Sequence, residues 1–414
     1  MAVAGVWDLK FKISNLRLRR TTTRRLLPSA SCRPPLSSAP VVCPCLLLLL
    51  SAFCLLPSVQ AAWVSQKSGS FAWLHSVFFV GERGWAVGGK GALLETTDGG
   101  ASWQLLRPPT EDALQDVFFT DERTGFIVCV RSVYSPMKVG EPRSYLLKTT
   151  DGGATWTRVD VVGAGDDSLQ LARVRFADAR RGWVFGEEGA LYSTEDGGAT
   201  WARLRVPTRH LLLGASLLDA RQAWLVGAGQ TLLQTSDGGL TWREGQLRGL
   251  PARFSSSPQT ARAQPTGVSA QAHSTAASAQ LTGAAAQSQP SSSSPRAPQA
   301  QASSLRLNAV SFADARRGWA VGANGAVLAT TDGGRTWAAQ ESGTDSDLFD
   351  VKFFDAREGW AVGSGGAAIH TTDGGQTWQA EQTGTTHALE RLFFEGRARG
   401  WAVGFGGTII AFKE

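Results

Sequence analysis

The chain has 414 residues, with 41 Lys and Arg against 35 Asp and Glu, for a formal charge of +6. Residues 1–61 hold eight of the basic residues and one acid, Asp8; the other 33 basic and 34 acidic residues leave 62–414 near −1. That balance excludes a non-specific grip on phosphate backbones. Cys129 is the one cysteine after residue 61, and no CxxC pair or spaced His cluster accompanies it, so neither an intramolecular disulfide nor a metal site is expected there.

The first predicted element is an export presequence at 1–61. Residues 1–40 are rich in Arg, Ser, Thr and Pro, and an apolar run follows from Cys45 to Leu56 between Pro44 and Pro57. It is shorter than the roughly 20 residues a membrane span takes. Val59-Gln60-Ala61 supplies a small-residue cleavage motif, so cleavage is expected after Ala61. Two export routes fit the long basic part: a bacterial signal, which is the favoured reading, giving a periplasmic or secreted protein, or a transit peptide joined to a thylakoid-lumen signal.

The rest of the chain is a repeat. TTDGGASW at 96–103 recurs at 149–156, 194–201, 235–242, 330–337 and 371–378, placing Asp98, Asp151, Asp196, Asp237, Asp332 and Asp373 in equivalent Asp-box turns. Upstream of each box, and once more at Trp401, lies a G-W-x-V-G-like segment carrying Trp85, Phe126, Trp183, Trp224, Trp319, Trp360 or Trp401. Trp183 to Trp224 and each step from Trp319 to Trp401 span 41 residues, the period of a propeller blade. Each unit parses into four strands, A to D, with the D-G-G hairpin turn between C and D.

An all-β, single seven-bladed β-propeller over 62–414 follows. The seventh unit stops after strand C at 406–412, and Ala62–Gly69 aligns with the strand D segments TWAAQESG (336–343) and TWQAEQTG (377–384). The N-terminal mature strand is therefore expected to close the last blade, removing the open sheet edge. Of the 14 Trp in 62–414, 13 fall at repeat positions on strands B and D and are expected to pack between blades; Trp73 alone is off-pattern. Two insertions interrupt the ring: 131–143 in the B–C loop of blade 2, and 251–304 between blades 4 and 5. The latter is almost all Ala, Ser, Gln, Pro, Thr and Gly and is read as disordered.

Two surfaces qualify as candidate partner sites. The A–B turns bring Arg83, Arg123, Arg180, Arg221, Arg316, Arg357 and Arg397 toward one channel mouth, either as a cationic ring for an acidic client or, on the favoured reading, as solvated turns fixed by neighbouring Asp. The opposite face carries Trp73 with Tyr134 and Met137 of the first insertion. Asp-box propellers include sialidases, which need a Tyr nucleophile with an acidic partner and an arginine triad. Tyr192 and Tyr145 sit on strands, Tyr134 in the insertion, and no Arg-Ile-Pro signature precedes the first box, so no catalytic residue is expected.

G-W-A-V-G followed by T-x-D-G-G-x-T-W, over seven units behind an export signal, resembles the photosystem II stability/assembly factor family across 62–414 apart from the two insertions. The resemblance implies a lumenal or periplasmic propeller, without cofactor, that assists assembly by binding a photosystem II core protein. A general exported or cell-surface interaction propeller of a non-photosynthetic bacterium is the alternative, with a sialidase-like glycoside hydrolase behind it, and the long 251–304 insertion departs from the compact family pattern.

Overall fold

The computed structural model describes residues 62–132, 141–161, 163, 166–249 and 305–413. The expected presequence, the 251–304 insertion and most of the 131–143 loop lie outside the described residues. Seven antiparallel sheets form the blades of a β-propeller. Strand A is Leu74–Val80, Ala113–Phe119, Leu171–Phe176, Leu212–Leu217, Leu307–Phe312, Leu348–Phe353 and Leu389–Glu395 in blades 1 to 7. In blade 7 the order is Ala62–Gln66, Ile409–Lys413, Arg399–Gly404, Leu389–Glu395, so the residues after the expected cleavage point supply its strand D. Trp63 pairs with Phe412 there, and its ring packs edge-on against Trp360 and Phe394.

Strand B is buried on both faces in every blade, which is why it reads as an unbroken small-and-apolar run rather than an alternation. Its Trp lies across the gap to the next blade. Trp85 stacks on Phe119 at 3.7 Å, Trp224 on Phe312 at 3.5 Å, Trp319 on Phe353 at 3.5 Å and Trp401 on Phe79 at 3.7 Å; Phe126 takes the same place against Phe176 at 4.6 Å. The strand D Trp of the receiving blade then meets that Phe edge-on, as Trp378 meets Phe353 at 5.7 Å and 87°. Such geometry adds about 0.5–1.5 kcal/mol per pair beyond area burial. The periodic tryptophans thus pack between blades, as expected.

The glycine before each strand B Trp has a steric cause. The strand A Phe folds over it, and a Cβ at Gly359 would sit 2.6 Å from the Phe353 ring. Blade 4 shows the rule by its exception: Leu217 replaces Phe and Ala223 replaces Gly, paired across the same hairpin. Strand D is two residues long in blades 1, 3, 4 and 6 but five in blade 5, Thr336–Gln340. There an extra strand that the repeat pattern does not announce, Gln246–Arg248, pairs parallel to it and covers its outer edge, with Leu247 packed on the core around Trp337.

Two outcomes test this packing. Trp63→Ala should cost about 3–5 kcal/mol in equilibrium unfolding, as truncation of a buried aromatic does; an unchanged midpoint would contradict closure through residue 63. Gly359→Ala should cost about 1–3 kcal/mol by overpacking, and Phe353→Leu in the same chain should recover part of that loss, a coupling read from the four-member mutant cycle.

Candidate functional site

The six Asp boxes are self-contained turns. Thr371 Oγ1 donates to Asp373 Oδ1 at 2.9 Å and accepts the Gly375 N–H at 2.9 Å; Thr377 donates its N–H to Oδ1 at 2.9 Å and its hydroxyl to Oδ2 at 2.6 Å. The same bonds recur at Asp98, Asp151, Asp196, Asp237 and Asp332. The Ser102, Thr241 and Thr377 hydroxyls, and then their backbone N–H groups, lower the Asp98, Asp237 and Asp373 carboxyls to about 2. These acids hold turns and stay ionised to low pH.

The A–B turns are part of the same construction. The first box glycine donates its N–H to the A–B turn carbonyl of its own blade: Gly152 to Arg123, Gly197 to Arg180, Gly238 to Arg221, Gly333 to Arg316 and Gly374 to Arg357. Asp121, Asp178, Asp219, Asp314 and Asp355 each accept two backbone N–H groups of these turns. Arg83 pairs with Glu95 at 2.5 Å, Arg397 with Asp355 and Glu358, and Arg180 donates to the Glu195 carbonyl. None of the seven turn arginines lines either cavity of the central channel.

The channel is built instead by strand A. In every blade a bulge near the start of strand A shifts the register. The bulged residues His75, Gln115, Ala172, Leu213, Asn308, Phe349 and Glu390 all line a cavity of about 280 Å³ on the B–C loop face. Further along, Phe78, Phe118, Arg175, Ser216, Ser311, Lys352 and Phe393 all line a second cavity of about 330 Å³ toward the A–B turns. Arg173 and Arg391 line both and form the waist between them.

The waist is a charge network. Asp116, fully buried, accepts from Ser76 Oγ at 2.8 Å, from the Val174 N–H at 3.0 Å and from Arg175 Nη1 at 2.6 Å, with Arg391 3.7 Å away. Burial pushes its carboxyl up, but Arg175, Arg391 and Arg173 outweigh that and hold it below the usual range. Asp350 takes the Leu392 N–H at 3.0 Å and faces Arg173 at 3.9 Å and Arg391 at 3.8 Å. Both carboxylates thereby tie one inner strand to the next. Burial first, and Arg391 second, lower the Arg173 pKa. Arg391 is 7% exposed, and its Nε and Nη1 make no hydrogen bond. Lys352 lines the second cavity with its side chain exposed there, and partial desolvation lowers its pKa against the opposing pull of Asp350.

At the other mouth, Trp73 begins blade 1 and lies 46% exposed, edge-on to Phe405 at 5.5 Å; Phe405 is 49% exposed at the tip of the blade 7 B–C turn, and Phe71 is 96% exposed. Trp73 Nε1 donates to Glu390 Oε1 at 3.1 Å, which joins this patch to the cavity edge. Tyr134 and Met137 lie outside the described residues. Tyr192 and Tyr145 are buried; Tyr192 donates to Asp166 at 2.6 Å and burial pushes its phenol up to about 12, away from nucleophile range. Among the described residues no cluster of three His, Cys, Asp or Glu could hold a metal ion.

The family described as photosynthesis system II assembly factor YCF48 matches residues 102–210, 289–381 and 339–413, more than half of the sequence. The chain belongs to this family. Among solved structures, YCF48 from Cyanidioschyzon merolae superposes with a TM-score of 0.58 at 19% identity, covering 85% of this chain and 99% of its own. A structure titled "YCF48 bound to D1 peptide" gives 0.58 at 18% identity, covering 87% and 96%. The GH74 xyloglucanase from Xanthomonas campestris shares the fold at 0.55 and 14% identity, over 84% of this chain and 53% of the enzyme. No curated protein sequence matches.

The box carboxylates set an acid limit. Their folded pKa lies below the ordinary 3.8, so the stability they contribute is present above about pH 4 and lost as pH falls toward 2. The unfolding midpoint should therefore drop between pH 4 and 2, and Asp237→Asn should lower it at neutral pH while shallowing the acid decline. An equally steep decline in the variant would show that the boxes do not set it.

Proposed function

We propose that this chain is an exported, non-catalytic assembly factor that binds a lumenal or periplasmic segment of a photosystem II membrane subunit during assembly. Membership of the YCF48 family supports the role, and a similar structure carrying a peptide supports a polypeptide client. The observation that carries the location is the aromatic group Phe71, Trp73 and Phe405 standing exposed beside the B–C-face mouth. Exposed Trp and Phe at the edge of a concave polar site have the composition of an interface hot spot. The A–B-turn arginines fit that part less well, because their turns are committed to the Asp boxes and Arg83 and Arg397 are already paired.

Cofactors have no part in this reading, and the client is held by contact alone. Immobilised protein should capture synthetic peptides of the exported-side segments of photosystem II core subunits. The Trp73→Ala, Phe405→Ala double variant should lose about thirtyfold or more in affinity, the effect of removing about 2 kcal/mol. Replacing Arg180, Arg221, Arg316 and Arg357 together by Gln should change it little. The reverse pattern would move the site to the turn face. Failure to capture any such peptide, with capture of unrelated exported proteins, would replace the photosystem client by a general interaction role.

A further inference from the structure

The channel half toward the A–B turns has two unlike walls. Phe393, Phe78 and Phe118 form one, with ring centroids 5.0 Å and 4.8 Å apart across blades 7, 1 and 2. At the same level on the opposite arc stand Arg175, Ser216, Ser311 and Lys352 from blades 3 to 6. At the waist below, Arg391 is more than nine-tenths buried and lines the cavity beside Arg173. Arg173, Arg175, Lys352 and Arg391 bring four positive charges to this half, and Asp116 and Asp350 return two.

From these walls we infer a binding site for a carboxylate carried on an apolar body. The apolar body lies on the phenylalanine arc, and the carboxylate reaches across to Lys352 and the waist arginines. Lys352 and the waist arginines line this cavity with a surplus of positive charge, and an anion placed there is held by charge-assisted bonds. An inorganic anion would leave the aromatic arc in water, and a cation would meet the surplus positive charge. The volume, about 330 Å³, lies at the small end of ligand cavities. Two sources share this chemistry: a free amphiphilic acid, and the C-terminal residue of a peptide with a large apolar side chain. The site is on the other mouth from the Trp73 patch and does not rest on the client reading.

Calorimetric titration of the folded protein tests it with decanoate, N-acetyl-phenylalanine and N-acetyl-phenylalanine amide. The acids should bind with matching rises in the thermal transition, and the amide should be weaker by about tenfold or more. Lys352→Met should weaken the acids by a similar factor, Lys352→Arg should retain them, and Trp73→Ala should leave them unchanged. Binding of decanoate alone assigns the site to free acids, and binding of N-acetyl-phenylalanine alone assigns it to a chain terminus. No binding of either acid at millimolar concentration, equal binding of acid and amide, or acid affinity unchanged in Lys352→Met would each overturn the inference.

Discussion

The contact on which the molecule depends is the face-to-face stack of a strand B Trp on the strand A Phe of the following blade. Blades make their own hydrogen bonds, but a single four-stranded sheet of this length cannot bury both faces. The stack supplies the missing face, and the Trp indole extends the link: Trp224 and Trp319 donate their Nε1–H to the Gly333 and Gly374 carbonyls of the next blade's Asp box at 2.9 and 3.0 Å. Those two boxes are thereby held to the blade before them as well as to their own A–B turns. The ring is completed between blades 7 and 1 by Trp401 on Phe79, and within blade 7 by the strand at Ala62–Gln66.

That outer packing leaves the inner strands free to carry charge. Their contacts across the channel are few, so side chains such as Asp116, Ser216, Ser311 and Asp350 join neighbours through backbone N–H groups of the next blade. Once two carboxylates are spent on that task inside a desolvated channel, cations must accompany them. The arginines Arg173, Arg175 and Arg391 answer the carboxylates and then exceed them. A structural device for joining blades thus leaves a charged waist, and the waist divides the channel into one mixed, polar mouth and one amphipathic mouth.

Repetition made the framework legible in the sequence. Six D-G-G boxes, seven small-and-apolar strand B segments and the alignment of Ala62–Gly69 with other strand D segments were enough for blade count, strand order and closure. The coupling of Ala223 with Leu217 is also written there, as the one A–W among G–W pairs. The channel was harder. Strand A alternates, but a bulge at its start turns two successive residues, such as Glu390 and Arg391, toward the axis. A strict period of two therefore misassigns faces at that point, and the inward charges in segments such as LARVRF and LFDVKF carry no repeat signature. In blades 2 to 6 the box glycine binds the backbone carbonyl of the turn arginine, and in blade 1 that of Glu82, a backbone contact that side-chain identity does not announce. Gln246–Arg248 belongs to no repeat, so the blade pattern does not announce it.

The two binding surfaces proposed for this scaffold lie at its two ends: exposed aromatics at the B–C face, and an amphipathic recess at the other. Both require that the ring behave as one unit, with the first described strand as firmly held as any other. Hydrogen–deuterium exchange along the folded chain measures this directly. Peptides covering 62–66 and 409–413 should exchange as slowly as the strand A and B peptides of blades 1 to 6. Rapid exchange at 62–66, with the remaining blades protected, would contradict a ring closed by its own N-terminal strand.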